Sequence, residues 1–327
     1  MPMKYTRDTI TPDVLSLIAD NAPRHPELAD GKIIEWQHGY RFIHRNKKGK
    51  AVGLLCVLPQ ELTGPENDTG WLTTLILDMS LPREERRKVF RMFYERAVAT
   101  GLTISAVGVV EAIIRTYKRL GMPVRYDWLN MYCRILRPIK FLRGQGKTPL
   151  LAPVIIAGNA VFRPESGVPK PTKQIQKIVK FEPEWDATWR LILTAQHLAS
   201  GVRTAEYLNY KLSQPNRDYQ CLGWFNGKGP GAYIIYRLAK HNVDDLWVMK
   251  ICDLVGEEDA KSALLNHAIA HATNNTDVYG VVALGASYDK AFYRKNGMWV
   301  SRKYIIATPP RRKLNVTFFD SDLDNLW

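Results

Sequence analysis

An internal duplication constrains the fold of this chain more than any other feature. Residues 71–122 and 246–298 both run strand, helix, strand, helix in the same order. Landmark residues recur at an almost constant spacing between the two copies: Asp78 with Asp253 (253 − 78 = 175) and Tyr117 with Tyr293 (293 − 117 = 176). Self-similarity of this kind predicts two copies of one structural unit.

Each copy is predicted to form an α/β layer structure. Short apolar runs rich in Leu, Ile, Val and Thr predict buried strands at 71–77, 104–110, 246–252 and 278–284. Apolar residues at helical spacing predict a helix between the two strands and a second helix that ends at Gly121 or Gly297. Strands that alternate with helices pair in parallel through right-handed crossovers, so both copies should contain parallel strands.

Length and charge pattern predict two domains joined by a basic linker. The chain has 327 residues, and its predicted parts are 1–140, a linker at 141–180, and 181–327. Residues 138–180 are rich in Pro and Gly and carry eight basic residues against Glu165 alone, which supplies +7 of the net charge of +14. Such a segment could meet phosphates, nucleic acid, an acidic carrier protein or an anionic membrane face, or be solvated without a ligand.

Composition favours a cytoplasmic protein without a metal. Hydrophobic residues make up 46% of the chain, no apolar run reaches membrane-spanning length, and the first residues lack the apolar core of a secretion signal. The separated cysteines fit neither a disulfide framework nor a metal site: Cys56, Cys133, Cys221 and Cys252. His267 and His271 lie four residues apart, as zinc ligands would, but no third ligand has a recognisable spacing.

The end of the second helix in each copy resembles a signature of the GNAT acyltransferase superfamily. Tyr117–Met122 and Tyr293–Met298 read Tyr-x-x-x-Gly-Met, which is similar to the Tyr-x-x-x-Gly-Phe motif of that superfamily. Further segments are similar to tandem-GNAT proteins, which are distantly Fem-like and often associated with surface-polysaccharide synthesis: Ile34–Gln37, Arg203–Leu212 with Pro215 and Tyr219, and Val316–Asp322. Together these segments span most of the chain.

This resemblance implies a fold and a reaction. The fold is two tandem GNAT-like domains, each a mixed, mostly antiparallel sheet with a central splayed parallel strand pair and flanking helices. In such proteins the pantetheine arm of acyl-CoA pairs with the splayed strands, and the pyrophosphate rests on amides at the start of the next helix. An amine then attacks the thioester directly, while a base takes its proton and a donor protonates the leaving thiolate.

Both copies depart from the Gly-rich phosphate loop of the superfamily. The first copy replaces it with cations, whereas the second carries acids at Glu257, Glu258 and Asp259 that would repel a pyrophosphate. The first copy is therefore predicted to bind acetyl-CoA or a longer acyl-CoA. Its candidate cofactor-binding residues are Met79, Leu81, Arg83, Arg86, Arg87, Lys88 and Val89. The alternative is that these basic side chains are only solvated.

The resemblance also assigns catalytic and acceptor-binding residues. Tyr117 matches the proton donor of the superfamily, and Asp78 at the exit of the strand could accept a proton; packing and helix capping are their alternative roles. The candidate acceptor-binding residues are Arg203, Tyr207, Tyr210, Asp320 and Asp322. Alternatively, Arg203 and Asp320 pair with each other to hold the tail on the second domain.

Three functions are compatible with the sequence. The leading one is an acyl-CoA-dependent N-acyltransferase acting on a small polar acceptor, with a nucleotide-linked amino sugar in polysaccharide biosynthesis as the preferred substrate. The second is a Fem-like transferase that takes its acyl group from a charged tRNA or an acyl carrier protein, with the basic linker as a docking surface. The third is a non-catalytic GNAT-like binding module.

Overall fold

The computed structural model describes most of the chain. The described residues are 7–23, 28, 30–63, 68–108, 111–161, 173–196, 199–227, 229–240, 246–308 and 314–320. Their helices are α1 Pro12–Asn21, α2 Lys32–Trp36, α3 Arg83–Val98, α4 Glu111–Arg119, α5 Pro138–Gly144, α6 Ala152–Val161, α7 Glu184–Gln196, α8 Ala205–Leu212, α9 Glu258–Asn274 and α10 Lys290–Lys295. Their strands are β1 Tyr40–Arg45, β2 Ala51–Gln60, β3 Thr69–Leu77, β4 Thr103–Val107, β5 Val124–Ile135, β6 Ile175–Lys177, β7 Ala199–Ser200, β8 Tyr219–Asn226, β9 Gly229–Lys240, β10 Trp247–Gly256, β11 Val278–Ala286, β12 Trp299–Ala307 and β13 Leu314–Asn315.

One mixed sheet runs through both copies of the duplication. Within the described residues it has eleven strands in the order β1-β2-β3-β4-β12-β5-β11-β10-β9-β8-β6. Its parallel pairs are β3 with β4 and β10 with β11, and the other neighbours are antiparallel. Each parallel pair is joined by one long helix, α3 or α9. The predicted fold class of a mostly antiparallel sheet with a central parallel pair in each half is confirmed.

The two halves of the chain, before and after the predicted linker, exchange the last strands that they contribute to this sheet. β5 follows α4 in the N-terminal half but pairs with β11 of the C-terminal half. β12 follows α10 in the C-terminal half but pairs with β4 of the N-terminal half, and β5 and β12 pair with each other at the centre of the sheet. Neither half therefore completes its own sheet.

In both parallel pairs the pairing stops before β3 or β10 ends, and we call the unpaired region beyond it the splay. β3 pairs with β4 only as far as Leu72 opposite Ala106, although β3 continues to Leu77. β10 pairs with β11 as far as Ile251 opposite Ala283, although β10 continues to Gly256. In each half the register against the neighbouring antiparallel strand shifts close to this point, as at a β-bulge. Beyond the last paired residue, main-chain groups on the facing edges are not used by the parallel ladder.

The helices pack on the sheet as their periodicity predicts. Val89, Phe93 and Ala97 of α3 are buried, and α9 buries Leu264 and Ala268 on the same kind of face. One apolar cluster contains residues of both halves, with Trp71 and Leu58 from the first and residues such as Trp185 and Val248 from the second. The core is therefore continuous across the exchange.

Two details differ from the sequence-based expectations. The strand expected to end at Asp253 runs on to Gly256, so Asp253 lies inside β10 rather than after it. Measured from the last paired residues, Leu72 and Ile251 (251 − 72 = 179), Asp253 corresponds to Thr74. Measured from the starts of α3 and α9 (258 − 83 = 175), it corresponds to Asp78. The equal spacing of the two aspartates arises because the C-terminal copy has a shorter loop, in which α9 begins two residues after β10 ends.

The predicted linker contains regular structure. Helix α5 crosses its start, α6 lies within it, and β6 joins the edge of the sheet beside β8. The three-residue turn Pro149–Leu151 connects directly to α6. In the part of the chain that the structure describes, no helix has both the length and the apolar character needed to cross a bilayer.

Strand exchange predicts that the N-terminal half does not fold alone. We expect residues 1–166 to show no cooperative urea transition by far-UV circular dichroism, because β4 lacks β12 and β5 lacks both of its neighbours. Co-expression with residues 167–327 should restore a cooperative transition. A lone 1–166 fragment that unfolds cooperatively near the midpoint of the full chain would show that the exchange is dispensable.

Candidate functional site

The splayed strands of the N-terminal half lead into the start of α3. The helix N-cap is Pro82, and no side chain caps the first turn. A helix start of this kind presents unsatisfied N–H groups and the positive end of the helix dipole. Residues 83–88 add four cations and two acids, a net charge of +2.

A basic groove lies beside this helix start. It has a volume of about 570 Å³ and is lined by Arg83, Glu111, Ile114, Arg115, Lys118 and Tyr126. These residues come from the first turn of α3, from α4 and from β5. Three cations against one acid give the lining a net charge of +2, and the Lys118 Nζ lies 5.8 Å from the centre of the Tyr126 ring. The groove therefore combines positive charge with an aromatic face.

The predicted cofactor-binding residues have different surroundings. Arg83 lines the groove, while the Arg86 Nη1 lies 2.9 Å from the sulfur of Met79, a side chain that is 64% exposed. Lys88 lies 4.0 Å from Glu84 across one helical turn. The remaining members are the exposed Arg87, the half-buried Leu81 and the buried Val89.

Neither predicted catalytic residue faces this groove. The Asp78 carboxylate accepts hydrogen bonds from the Ser80 hydroxyl (2.6 Å) and the Ser80 amide (2.9 Å), which lower its pKa and make it a weaker base. Tyr117 is buried with its ring edge-on to Phe90, and burial raises its pKa. These contacts agree with the alternative packing and turn-forming roles, and the catalytic roles of Asp78 and Tyr117 stay predictions.

A second polar cluster lies at the splay of the C-terminal half. A Cβ placed on Gly285 of β11 would lie 3.4 Å from the Asp289 Oδ2 and 3.3 Å from the Tyr132 ring. Tyr132 donates a hydrogen bond to the carbonyl of Ala286 (2.7 Å). Asn130 faces Gly285 across the β5–β11 pair, and its buried Oδ1 has no hydrogen-bond partner among the described residues. The cluster therefore retains unused acceptor capacity.

Burial shifts the pKa of two charged groups of this cluster. Burial raises the pKa of Asp289, although the charge of Lys261 opposes that shift. Burial lowers the pKa of Lys261, against the charges of Asp289 and Glu258. The exposed Tyr288 also has its pKa raised by desolvation of its hydroxyl. Perturbed titratable groups beside an interrupted sheet are a typical feature of reaction sites.

A buried ionic network lies on the other side of β10. The Arg203 Nε is 2.8 Å from the Asp253 Oδ2, and its Nη2 is 2.6 Å from the Asp320 Oδ1; all three side chains are at most 1% exposed. Burial disfavours the charged guanidinium, but the two carboxylates outweigh this and raise the pKa of Arg203. The Tyr233 hydroxyl donates to Asp253 (2.9 Å), and the Thr317 amide donates to Asp320 (2.7 Å). The network thus fixes the tail to β10.

The same network reaches into the N-terminal half. The Gln60 Nε2 on β2 donates to the Asp320 Oδ1 (2.9 Å) and to the Tyr207 hydroxyl (3.1 Å), while its Oε1 accepts from the Trp71 indole (2.6 Å). A Cβ on Gly201 would lie only 2.0 Å from the Gln60 Nε2. Glycine at this position therefore allows the side chains of both halves to meet.

The predicted acceptor-binding residues are part of this junction. Tyr207 donates to the carbonyl of Phe319 (3.1 Å). Tyr210 stacks on Trp36 with ring centres 4.6 Å apart and donates to the Trp36 carbonyl (3.2 Å). Arg203 and Asp320 pair directly, as in the alternative interpretation of the sequence. Asp322 lies outside the described residues. A role for these residues in acceptor binding stays a prediction.

Sequence reasoning missed several residues of both sites. In the groove they are Arg115, Lys118 and Tyr126, and at the C-terminal splay they are Asn130, Lys261, Tyr288 and Asp289. A signal was available for Asp289, because it follows the second parallel strand of its copy, where side chains converge on an open edge. Tyr126 and Asn130 gave no such signal, because strand exchange determines their neighbours.

Among the described residues, no group of three or more His, Cys, Asp or Glu side chains is placed to hold a metal ion. His271 lies 3.1 Å from the Tyr236 hydroxyl instead. The four cysteines are buried and form no disulfide bond with one another.

The ionic network predicts a large loss of stability in Arg203→Met. Two buried carboxylates would lose their cation, and breaking a buried pair in this way costs about 3–5 kcal/mol. Urea unfolding should show this loss, while Arg115→Met at an exposed position should change stability by less than about 0.5 kcal/mol. Adding Asp253→Asn and Asp320→Asn to Arg203→Met should recover part of the loss. Equal midpoints for Arg203→Met and the natural protein would show that the network does not stabilise the fold.

Comparison with solved structures identifies the fold. N-myristoyltransferase of Saccharomyces cerevisiae with bound myristoyl-CoA is similar over 90% of this chain and 74% of that chain, with a TM-score of 0.61 and 11% identity. A GCN5-related N-acetyltransferase of Anabaena variabilis is similar over 93% and 72%, with a TM-score of 0.60 and 10% identity. A probable N-acyltransferase of Enterococcus faecalis is similar over 90% and 69%, with a TM-score of 0.58 and 10% identity.

At these identities the likeness establishes the fold and no more. The chain has the fold of GNAT-type N-acyltransferases and of N-myristoyltransferase, which contains two GNAT-like halves. No protein-family model and no curated protein matches the sequence.

Proposed function

We propose that this protein is an acyl-CoA-dependent N-acyltransferase. The acyl donor binds in the N-terminal half and the amine acceptor in the C-terminal half. The observation that carries the proposal is the N-terminal splay, which leads to an uncapped helix start beside a basic groove. The shared fold with N-acyltransferases, one of them a complex with myristoyl-CoA, supports the same class of reaction.

The N-terminal splay suits the two chemical parts of acyl-CoA. Residues 73–77 of β3 extend beyond the parallel ladder, so their main chain can pair with the amide groups of a pantetheine arm. The phosphates would then lie at the start of α3, within reach of Arg83, Arg115 and Lys118. The Tyr126 ring offers an aromatic surface to the adenine base.

Opposite charges assign different substrates to the two halves. Residues 83–88 at the start of α3 have a net charge of +2, whereas residues 257–261 at the start of α9 carry three acids and Lys261, a net charge of −2. An anionic pyrophosphate is attracted by the first helix start and repelled by the second. The second site instead suits a substrate that arrives as a protonated amine.

The acceptor would bind at the polar cluster of the C-terminal splay. The Asp289 carboxylate can hold a protonated amine and then take its proton, because its raised pKa makes it a stronger base than an ordinary aspartate. The Asn130 Oδ1 and the Tyr288 hydroxyl can accept or exchange hydrogen bonds with sugar hydroxyls. An amino sugar fits this chemistry, and the acceptor we favour is a nucleotide-linked one from polysaccharide biosynthesis, with its phosphates held away from the acidic start of α9.

Charge reversal in the groove tests the donor site. Arg115→Glu/Lys118→Glu should weaken acetyl-CoA binding at least tenfold by isothermal titration calorimetry, because two contacts to phosphate worth about 1–2 kcal/mol each are lost. Lys47→Glu/Lys48→Glu, in the exposed β1–β2 turn, makes the same change in net charge and should bind normally. Arg86→Glu/Arg87→Glu tests the sequence-based prediction in the same series. Unchanged affinity in the groove variant would exclude this donor site.

Substitution of Asp289 tests the acceptor site. Asp289→Asn should lower kcat at least about 100-fold, since a general base contributes 10²–10⁴-fold, without changing the Kd for acetyl-CoA. The natural enzyme should gain activity as pH rises through the pKa of Asp289, because only the ionised carboxylate accepts a proton. Burial raises that pKa, so the gain should occur at higher pH than for an exposed aspartate. A variant that keeps the natural kcat and pH profile would exclude Asp289 as the base.

Ligand-dependent melting separates this proposal from the other functions. A ligand at a hundred times its Kd stabilises a protein by about 2.7 kcal/mol. Stabilisation by acetyl-CoA or longer acyl-CoAs supports the proposal, and the series also gives the preferred chain length. Stabilisation only by charged tRNA or acyl carrier protein would favour the Fem-like transferase. If none of these ligands stabilises the protein, the non-catalytic module would replace both.

A further inference from the structure

The region from α5 to α6 exposes a patch of large apolar side chains. The turn before α6 exposes 84% of Leu150 and 46% of Leu151, and α6 itself exposes 69% of Val154 and 55% of Ile156. Leu150 and Leu151 precede Val154 by four and three residues, so all three lie on one side of the helical segment. Apolar side chains grouped in this way on a protein surface mark an interaction site more often than scattered ones do.

The patch belongs to a long uncharged segment. From Thr148 to Asn159 the sequence contains no Lys, Arg, Asp or Glu, and most of its residues are apolar. α6 is apolar on its outer side as well as on its inner side, which is unusual for a helix on the surface of a water-soluble domain.

The inner side of this segment is fixed to the body of the protein. The Asn159 Nδ2 donates to the Ile135 carbonyl at the end of β5 (2.7 Å), and Ala152 is buried. A Cβ on Gly144 of α5 would lie 2.3 Å from Leu246, so α5 packs tightly before β10. The exposed apolar side chains are thus presented outward by a supported helix.

Positive charge adjoins the patch. Arg143 at the end of α5 and Lys147 just before the turn are exposed. The sequence has no acidic residue between Asp127 and Glu165. The neighbouring Lys140 is already 3.5 Å from Asp277 and is not included in this surface.

We propose that this patch docks on the surface of an anionic lipid bilayer. Leu150, Leu151 and Val154 would enter the boundary between headgroups and acyl chains, while Arg143 and Lys147 contact anionic headgroups. A supported apolar helical face with adjacent basic residues is the combination that binds reversibly at such interfaces. The proposal does not depend on the acyl-donor site, and it would place the protein beside membrane-associated substrates.

Charge argues against a second copy of this chain as the occupant. In a two-fold symmetric contact through the patch, the same surface is used on both copies. Arg143 and Lys147 of one copy would then approach those of the other, with no acidic residue in this segment to balance them. An anionic bilayer provides the missing negative charge.

Vesicle sedimentation with the full chain tests the proposal. The natural protein should bind vesicles of phosphatidylglycerol and phosphatidylcholine, and bind at least fivefold less to phosphatidylcholine alone. Leu150→Asp/Val154→Asp and Arg143→Glu/Lys147→Glu should each lower binding to the anionic vesicles at least fivefold. The matched control is Val98→Asp/Leu191→Asp, which places the same two charges on apolar residues of α3 and α7 that are 48% and 72% exposed, and it should bind normally.

Two further measurements keep the result decisive. Each variant should melt within a few degrees of the natural protein, and Leu150→Ser/Val154→Ser replaces any Asp variant that melts early. The proposal is overturned if the natural protein does not sediment with anionic vesicles, or if the patch variants sediment as it does. It is also overturned if the patch instead forms a dimer in sedimentation velocity that Leu150→Asp/Val154→Asp abolishes while vesicle binding is absent.

Discussion

The buried guanidinium of Arg203 is the interaction on which the rest of the structure depends. It holds Asp253 in the interrupted part of β10 and Asp320 in the tail, and through Asp320 it is linked to Gln60 of the other half. An arginine at this depth is stable only while its carboxylates are present, because each charge alone would be expensive to bury. The network therefore requires β10, the tail and the N-terminal half to be in place together.

Strand exchange also requires both halves of the chain to be present before either sheet is complete. β5 and β12 each complete the sheet of the other half, so the two splayed pairs have a fixed relation to a shared centre. The same structural unit then carries different charges at its two helix starts, cationic at Arg83 and acidic at Glu258. Duplication followed by divergence of charge can produce one site for an anionic donor and another for a cationic acceptor without any change of fold.

Several sequence-based predictions describe the structure well. The duplication, the parallel pairs and the buried faces of α3 and α9 were predictable, because hydrophobic periodicity reports which face of an element is covered. The pairing of Arg203 with Asp320 was predicted only as an alternative. Asp78 and Asp253 each precede the following helix by five residues, but Asp253 lies inside β10 whereas Asp78 lies just after β3, because the C-terminal copy has the shorter loop. The groove was not predicted, because its lining comes from three elements that the sequence does not show to be neighbours.

The sequence by itself determined the elements, their amphipathic faces, the net positive charge and the opposite charges of the two helix starts, since these are local properties of the residues. Tertiary structure decided which strands are exchanged, which of the basic residues share a groove, and which of the predicted binding residues are buried in the junction. The physical reason is that strands pair through main-chain hydrogen bonds that are the same for many partners. Partner choice depends on the packing of side chains from distant segments, such as Arg203, Gln60 and Asp320, which meet only in the complete fold.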